Sequence, residues 1–270
     1  MPQFDSPQRR YGPLSRLLSG VQLHGERPPN AVEDFFRTPE AGKFCGRWSV
    51  EEIAASFLET GCLAHWKKQG FEDLRFELEG DGLTSRYGLT VWTRCGEVAE
   101  ILMQLVVWID YIEIERIGVS YPSFGVEHLR LQNPRMTGEG LLPGQDFPSS
   151  GMLRRMFGVI RHWACQIGAS LITEIPQYFH TAYLFSEYFT YVDVEMEGLF
   201  RAVKRDLLSH HAMGEVSSAF EQHRVTMNDR IWTWPTEVQA YALSHELAQR
   251  LEIPAEVVDS GVFQILSDEA

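Results

Sequence analysis

A chain of 270 residues, 44% hydrophobic and 23% charged, is long enough to bury a sizeable core as one large domain, or as one domain with an appendage. Its formal charge of −13 gives no global electrostatic support to nucleic-acid binding, so no nucleic-acid partner is expected. The four cysteines, Cys45, Cys62, Cys95 and Cys165, form no C-x-x-C pair and no metal-ligand spacing, so no metal is expected and the thiols read as reduced in a cytoplasmic protein.

Residues 1–30 are rich in Pro, Gly and Arg and read as an irregular arm without the apolar run of a signal peptide. Asn30 to Phe36 reads as a short helix capped by Asn30. Trp48 to Gln69 reads as one longer helix. Ser49 and Glu52 have capping-box spacing, and Ile53, Ala54, Phe57, Leu58, Cys62 and Trp66 form an apolar face interrupted by Gly61. The period then changes to two. Leu74, Phe76 and Leu78 alternate with Arg75, Glu77 and Glu79, and Gly80-Asp81-Gly82 makes a turn. Arg86–Cys95, Val98–Ile109 and Tyr111–Val119 continue an antiparallel meander. Pro122 and Gly125 break the pattern before a fifth strand, Val126–Gln132. The most apolar stretch, Ile101 to Ile112, is too short to span a bilayer and carries Asp110, so no membrane partner is expected.

The stretch from Leu141 to Tyr191 carries the chemistry. Leu153, Met156, Phe157, Ile160, Trp163, Ala164 and Ile167 recur at spacings of three and four, which predicts a helix, and Gly168 stops it. Gln145, Ser149, Ser150 and Gly151 lie just before that helix. Small residues there leave backbone N–H groups uncovered, and the helix N-terminus adds partial positive charge, so the loop is a natural cradle for a phosphate or pyrophosphate. A short apolar strand, Leu171 to Ile175, and an aromatic second helix follow.

These residues resemble the acyl-CoA-binding core of GNAT acyltransferases. That family writes the loop Q/R-x-x-G-x-G/A. Here Gln145 matches the first position, and Ser149, Ser150 and Gly151 supply small residues about one position late, with two glycines missing. The family often ends the second helix with A-x-x-L-Y-E-x-x-G-F. This chain has Ala182, Glu187 and a final aromatic at that spacing, with Ser186 at the Tyr position and Thr190 at the Gly position. The resemblance covers roughly residues 120 to 195. It implies an α/β fold, a mixed and mostly antiparallel GNAT-like sheet flanked by helices, over residues 31–195, using acetyl-CoA or another acyl-CoA. Gln145, Ser149, Ser150, Gly151 and Met152 would hold the pyrophosphate, with Arg154 or Arg155 near the phosphates. The strand ending near Leu131 would offer backbone groups to the pantetheine.

Acyl transfer to an amine needs a base and benefits from a proton donor to the leaving thiolate. Glu127 on the strand before the loop is the first choice as base. Tyr183 shares the face of Ser186 and stands in as donor, and His180 lies near the start of the same helix. The acceptor expected is a small-molecule or peptide amine. The departures from both motifs keep open a catalytically inactive scaffold acting as a binding or assembly module.

Residues 196–270 read as a mainly helical extension, with helices at Gly198–His210, Met213–His223 and Thr236–Leu251, the last capped by Thr236. Apolar edge strands and the aromatic C-terminal third leave room for a homodimer. No G-x-S-x-G, H-E-x-x-H or Walker loop is present.

Overall fold

The structure is a computed structural model and describes residues 42–80, 85–95, 98–136 and 141–266. The N-terminal arm and the Asn30–Phe36 helix lie outside the described residues. The first elements are helices α1 (Val50–Glu59) and α2 (Cys62–Lys68) and strands β1 (Arg75–Glu79), β2 (Arg86–Cys95), β3 (Val98–Ile114) and β4 (Val119–Leu131). Helix α3 (Leu153–Gln166), β5 (Leu171–Glu174), α4 (Phe179–Phe185) and β6 (Thr190–Tyr191) follow. The chain ends with α5 (Val194–Asp206), α6 (Met213–Glu221), β7 (Val225–Met227), β8 (Arg230–Ile231), β9 (Gln239–Ala242), α7 (His245–Leu251) and β10 (Phe263–Ile265).

The main sheet has seven strands in the order β1-β2-β3-β4-β5-β9-β6. Every pairing in it is antiparallel except β4–β5, which is parallel. Period-two alternation in β1–β4 therefore produces the expected meander, and the strand–helix–strand passage through α3 produces the parallel pair.

One face of the sheet carries Leu89, Val91, Leu105, Val107, Phe124, Val126 and Ile172, and α1, α2 and α3 cover it. Trp163 of α3 stacks on Phe57 of α1 at 5.9 Å, with Trp48 at 5.6 Å, so the aromatic content is concentrated between helices and sheet. Each fully buried side chain of this size contributes about 1.5–3 kcal/mol before entropy. The preceding residue of β5, Leu171, faces the other way and packs with Ile112, Ile114, Leu247 and Leu251, where α7 closes the opposite face. A second aromatic core, built on Phe179, Phe200, Phe220 and Phe263, joins α4, α5 and α6 to a three-stranded sheet, β10-β7-β8.

Four expectations change. The Trp48–Gln69 helix is two, because Gly61 takes φ +74°, a left-handed conformation that ends one helix and starts the next at an angle. The capping box at Ser49–Glu52 forms as expected. The third and fourth strands are one, β3, since only Asp110 stands between them, and the chain reverses at Gly118 (φ +66°) instead. Pro122 and Gly125 do not break the next strand. Gly125 lies under Trp108 of β3, where a Cβ would come within 1.9 Å of the indole. Finally, Thr236–Leu251 is not one helix. Gln239–Ala242 is drawn into the gap between β5 and β6 as β9, and Ser244, not Thr236, caps the helix that follows. Part of the segment read as a helical extension thus supplies an interior strand of the main sheet.

Candidate functional site

The parallel pair sets the site. β4 pairs with β5 only from Ser123↔Leu171 to Val126↔Glu174, yet β4 runs on to Leu131. The strands part after that rung. Against β3 the register also shifts there: Val107 faces Val126, but Val106 faces His128, so Glu127 is an extra residue in a bulge. A bulge bends its strand and re-aims the side chains around it. Because β4 and β5 are parallel, α3 must return against their direction. Its N-terminus therefore lies at the end where the strands part, the end of an α/β crossover that ordinarily receives ligands.

Helix α3 begins without a side-chain cap at Met152. The backbone N–H groups of Met152, Leu153, Arg154 and Arg155 donate to no described group. Gly151 precedes them in the left-handed region, φ +71°, and a Cβ there would meet nothing within 4 Å. The loop is held from behind. The Ser150 carbonyl accepts from His65 Nε2 at 2.8 Å and Gln69 Nε2 at 3.2 Å, both on or just after α2. Ser150 Oγ is buried with no hydrogen-bond partner among the described residues. Uncovered donors, the helix dipole and open space at Gly151 fit a phosphate group.

The other predicted binding residues are placed as follows. Gln145 turns inward on its own loop, its Oε1 accepting from Leu142 N at 3.1 Å. Ser149 Oγ accepts weakly from Gly151 N at 3.4 Å. Arg154 is exposed and pairs with Glu187 of the α4–β6 turn at 3.2 Å, a surface contact worth little and easily exchanged. Arg155 is exposed on the first turn of α3. Leu131 ends β4, beyond its pairing with β5. Further along, the loop crosses the parting. Asp146 pairs with Arg130 of β4, and Gly144 lies so close to Tyr178, before α4, that a Cβ would come within 2.6 Å of its ring.

The three predicted catalytic residues are not brought together by hydrogen bonds. Glu127 accepts from Arg86 Nε at 2.7 Å and from its second nitrogen at 3.0 Å, a two-point pair that raises the arginine above its usual range. Tyr183 is partly exposed and stacks on Phe179 at 6.2 Å. Ser186 Oγ donates to the Tyr183 carbonyl at 2.8 Å. His180 is buried where α4 meets α6, and its Nδ1 shares a 2.8 Å hydrogen bond with Ser217 Oγ. Burial lowers His180 to about 4.

Sequence reading missed one group. Glu174, Gln239 and Tyr191 are 6%, 0% and 1% exposed, and they face one another in register across β5, β9 and β6. Glu174 Oε1, both polar ends of Gln239 and Tyr191 Oη make no well-formed hydrogen bond among the described residues. Burial raises Glu174 well above the carboxylate range. Burial also raises Tyr191, reinforced by the negative charge of Glu174, Glu197 and Glu237, while the nearby Gln239 opposes the rise. The available signal was a carboxylate in the otherwise uncharged strand Leu-Ile-Thr-Glu-Ile. An open groove of about 430 Å³ lies between β6, β9 and α7. Its arginines are engaged, Arg116 on the carbonyls of Leu251 and Glu252 and Arg201 on that of Ile253, so the α3 N-terminus is the better anion site.

No protein-family model matches this chain, and no curated protein matches it. Among solved structures, a chain of a KacTA–DNA complex is 17% identical over 58% of this chain and 82% of that one, with a TM-score of 0.29. A tyrosine-to-phenylalanine mutant of KacT is 12% identical over 81% of this chain and 95% of that one, with a TM-score of 0.31. AtaT complexed with acetyl-methionyl-tRNAfMet is 14% identical over 56% of this chain and 82% of that one, with a TM-score of 0.27. The fold is the expected α/β one, a mixed and mostly antiparallel sheet flanked by helices.

The expectation of a small-molecule or peptide acceptor with no nucleic-acid partner is corrected. Two of these three structures are complexes with DNA or tRNA. The physical reason is that net charge averages over the whole surface, whereas contact with a nucleic acid depends on local charge. No helix among the described residues is long and apolar enough to cross a membrane.

Proposed function

We propose that this GNAT-like chain is an acyltransferase that uses acetyl-CoA or another acyl-CoA and passes the acyl group to an amine. One observation carries the reading: the uncapped N-terminus of α3, opened by Gly151 and set where β4 and β5 part. The backbone N–H groups from Gly151 to Arg155 would hold the pyrophosphate, with Ser149 and Ser150 shaping the approach. Arg155, and Arg154 released from Glu187, would add charge. The end of β4 up to Leu131, past its last rung with β5, has backbone groups to offer the pantetheine. When bound, acyl-CoA supplies a thioester whose carbonyl carbon is open to attack by an amine.

Thermal unfolding with and without CoA and acetyl-CoA tests the assignment. A ligand that binds only the folded state at a hundred times its Kd stabilises by about 2.7 kcal/mol, and the midpoint rises with concentration. No rise at millimolar acetyl-CoA would overturn it.

A second reading, an inactive scaffold, is favoured by two observations. Ser186 stands where the family has Tyr and turns its hydroxyl to a carbonyl, and Glu127 is held by Arg86. Binding of CoA without acyl transfer to a polyamine, a lysine peptide or an aminoacyl-tRNA would decide for it.

A further inference from the structure

Helix α2 lies behind the loop that opens α3, and it reaches that loop with two residues four positions apart. His65 and Gln69 therefore share one face of the helix. His65 Nε2 donates to the Ser150 carbonyl at 2.8 Å, and Gln69 Nε2 donates to the same oxygen at 3.2 Å. Ser150 is 3% exposed, so its carbonyl needs a partner within the protein. One donor would satisfy it. Two donors from one helix face also fix the direction in which it points.

That direction decides where the next N–H goes. In a trans peptide the C=O of one residue and the N–H of the next point to opposite sides. Holding the Ser150 carbonyl against α2 therefore turns the Gly151 N–H away from α2, where it meets only Ser149 Oγ at 3.4 Å. Gly151 has φ +71°, and a glycine adopts that conformation about as readily as its mirror image, so the turn needs a contact from outside to hold it. The other end of α2 touches the same turn of α3. A Cβ on Gly61 would lie 3.8 Å from Arg155 Nε, and Cys62 Sγ is 4.0 Å from Met156 Sδ. Trp66, fully buried against Phe57 at 5.8 Å, anchors α2 to the core.

We propose that His65 and Gln69 are positioning residues for the phosphate-binding turn, holding Gly151 and the start of α3 in the receiving conformation before a ligand arrives. The proposal rests on the acyl-CoA reading above. The donors of both side chains are spent on the Ser150 carbonyl, so they act through the backbone of Ser150 and Gly151 and not on the ligand. A site whose binding conformation is only partly populated binds more weakly by that fraction. Releasing the clamp therefore weakens any ligand whose phosphates use the turn. An uncharged donor suffices for the role, because the partner is a neutral carbonyl.

Calorimetric titration of the full chain with CoA is the test. His65→Leu removes the nearer donor, and the CoA Kd should rise about tenfold as the competent fraction falls to about a tenth. His65→Gln sets an uncharged amide nitrogen near the place of Nε2 and should stay within about twofold of wild type, a rescue that a packing role would not give. Gln69→Met keeps the length, loses the donor and should cost about threefold. Since His65 and Gly151 act on one turn, His65→Leu should cost less than about threefold in a Gly151→Asp background. Should His65→Leu not fold, Gln69→Met carries the test, alone and with Gly151→Asp, where its cost should likewise shrink. A Kd within about twofold of wild type for His65→Leu and Gln69→Met overturns the clamp and leaves the acyl-CoA reading standing, because the wild type still binds. So does a loss in His65→Gln equal to that in His65→Leu, or a loss undiminished by Gly151→Asp. A wild type that gives no binding heat at millimolar CoA overturns that reading and the clamp with it.

Discussion

Gly151→Asp is the sharpest probe of the α3 N-terminus. The position has φ +71°, which Asp and Asn tolerate better than most residues, and the added side chain meets nothing within 4 Å. The substitution therefore leaves the fold in place. It sets a carboxylate beside the free N–H groups of Met152 to Arg155, where it competes for the same donors and repels a bound phosphate. Two unit charges about 5 Å apart at an effective dielectric of about 20–40 repel by about 2–3 kcal/mol. That corresponds to a CoA Kd weakened about thirtyfold or more. Gly151→Asn has the same size and backbone preference without the charge, and should stay within about threefold of wild type. Calorimetric titration with CoA at two salt concentrations measures both variants, and the Asp penalty should shrink at high salt. Equal CoA affinity for Gly151→Asp and wild type would refute the assignment.

His180 predicts a pH dependence of stability. Its folded-state value of about 4 lies below the ordinary 6.5, because burial against α6 disfavours the charged ring. The stabilisation is complete above 6.5 and is lost as pH falls towards 4, since the unfolded chain takes up the proton first. The loss is about 3 kcal/mol. Denaturant midpoints of wild type and His180→Asn between these pH values should converge as pH drops, and parallel curves would refute it. Gly125→Ala should destabilise by about 1–3 kcal/mol by driving a methyl into Trp108. Gly125→Ala combined with Trp108→Ala should cost less than the sum of the two, as measured by thermal unfolding.

Much of the fold was readable from the chain because its causes are local. The Ser49–Glu52 box, the alternation through Leu78, the apolar face of α3 and the stop at Gly168 depend on residues a few positions apart. Gly151 before an amphipathic helix is a local signal of the same kind, and the helix after it starts without a side-chain cap. The strand β9 was not readable. Gln239–Ala242 sits in a helix-compatible pattern, and only the open edges of β5 and β6, both distant in the chain, make it a strand. The Glu127 bulge is a matter of register against Val106 and Val107, and register is a relation between strands. Glu174 follows the same rule. Its position in the sequence marks a carboxylate in a short apolar strand, but its burial beside Gln239 and Tyr191 exists only once three separate strands are paired. Short-range periodicity determined the elements. Long-range pairing decided which polar groups were taken out of water together, and so where the chemistry could be.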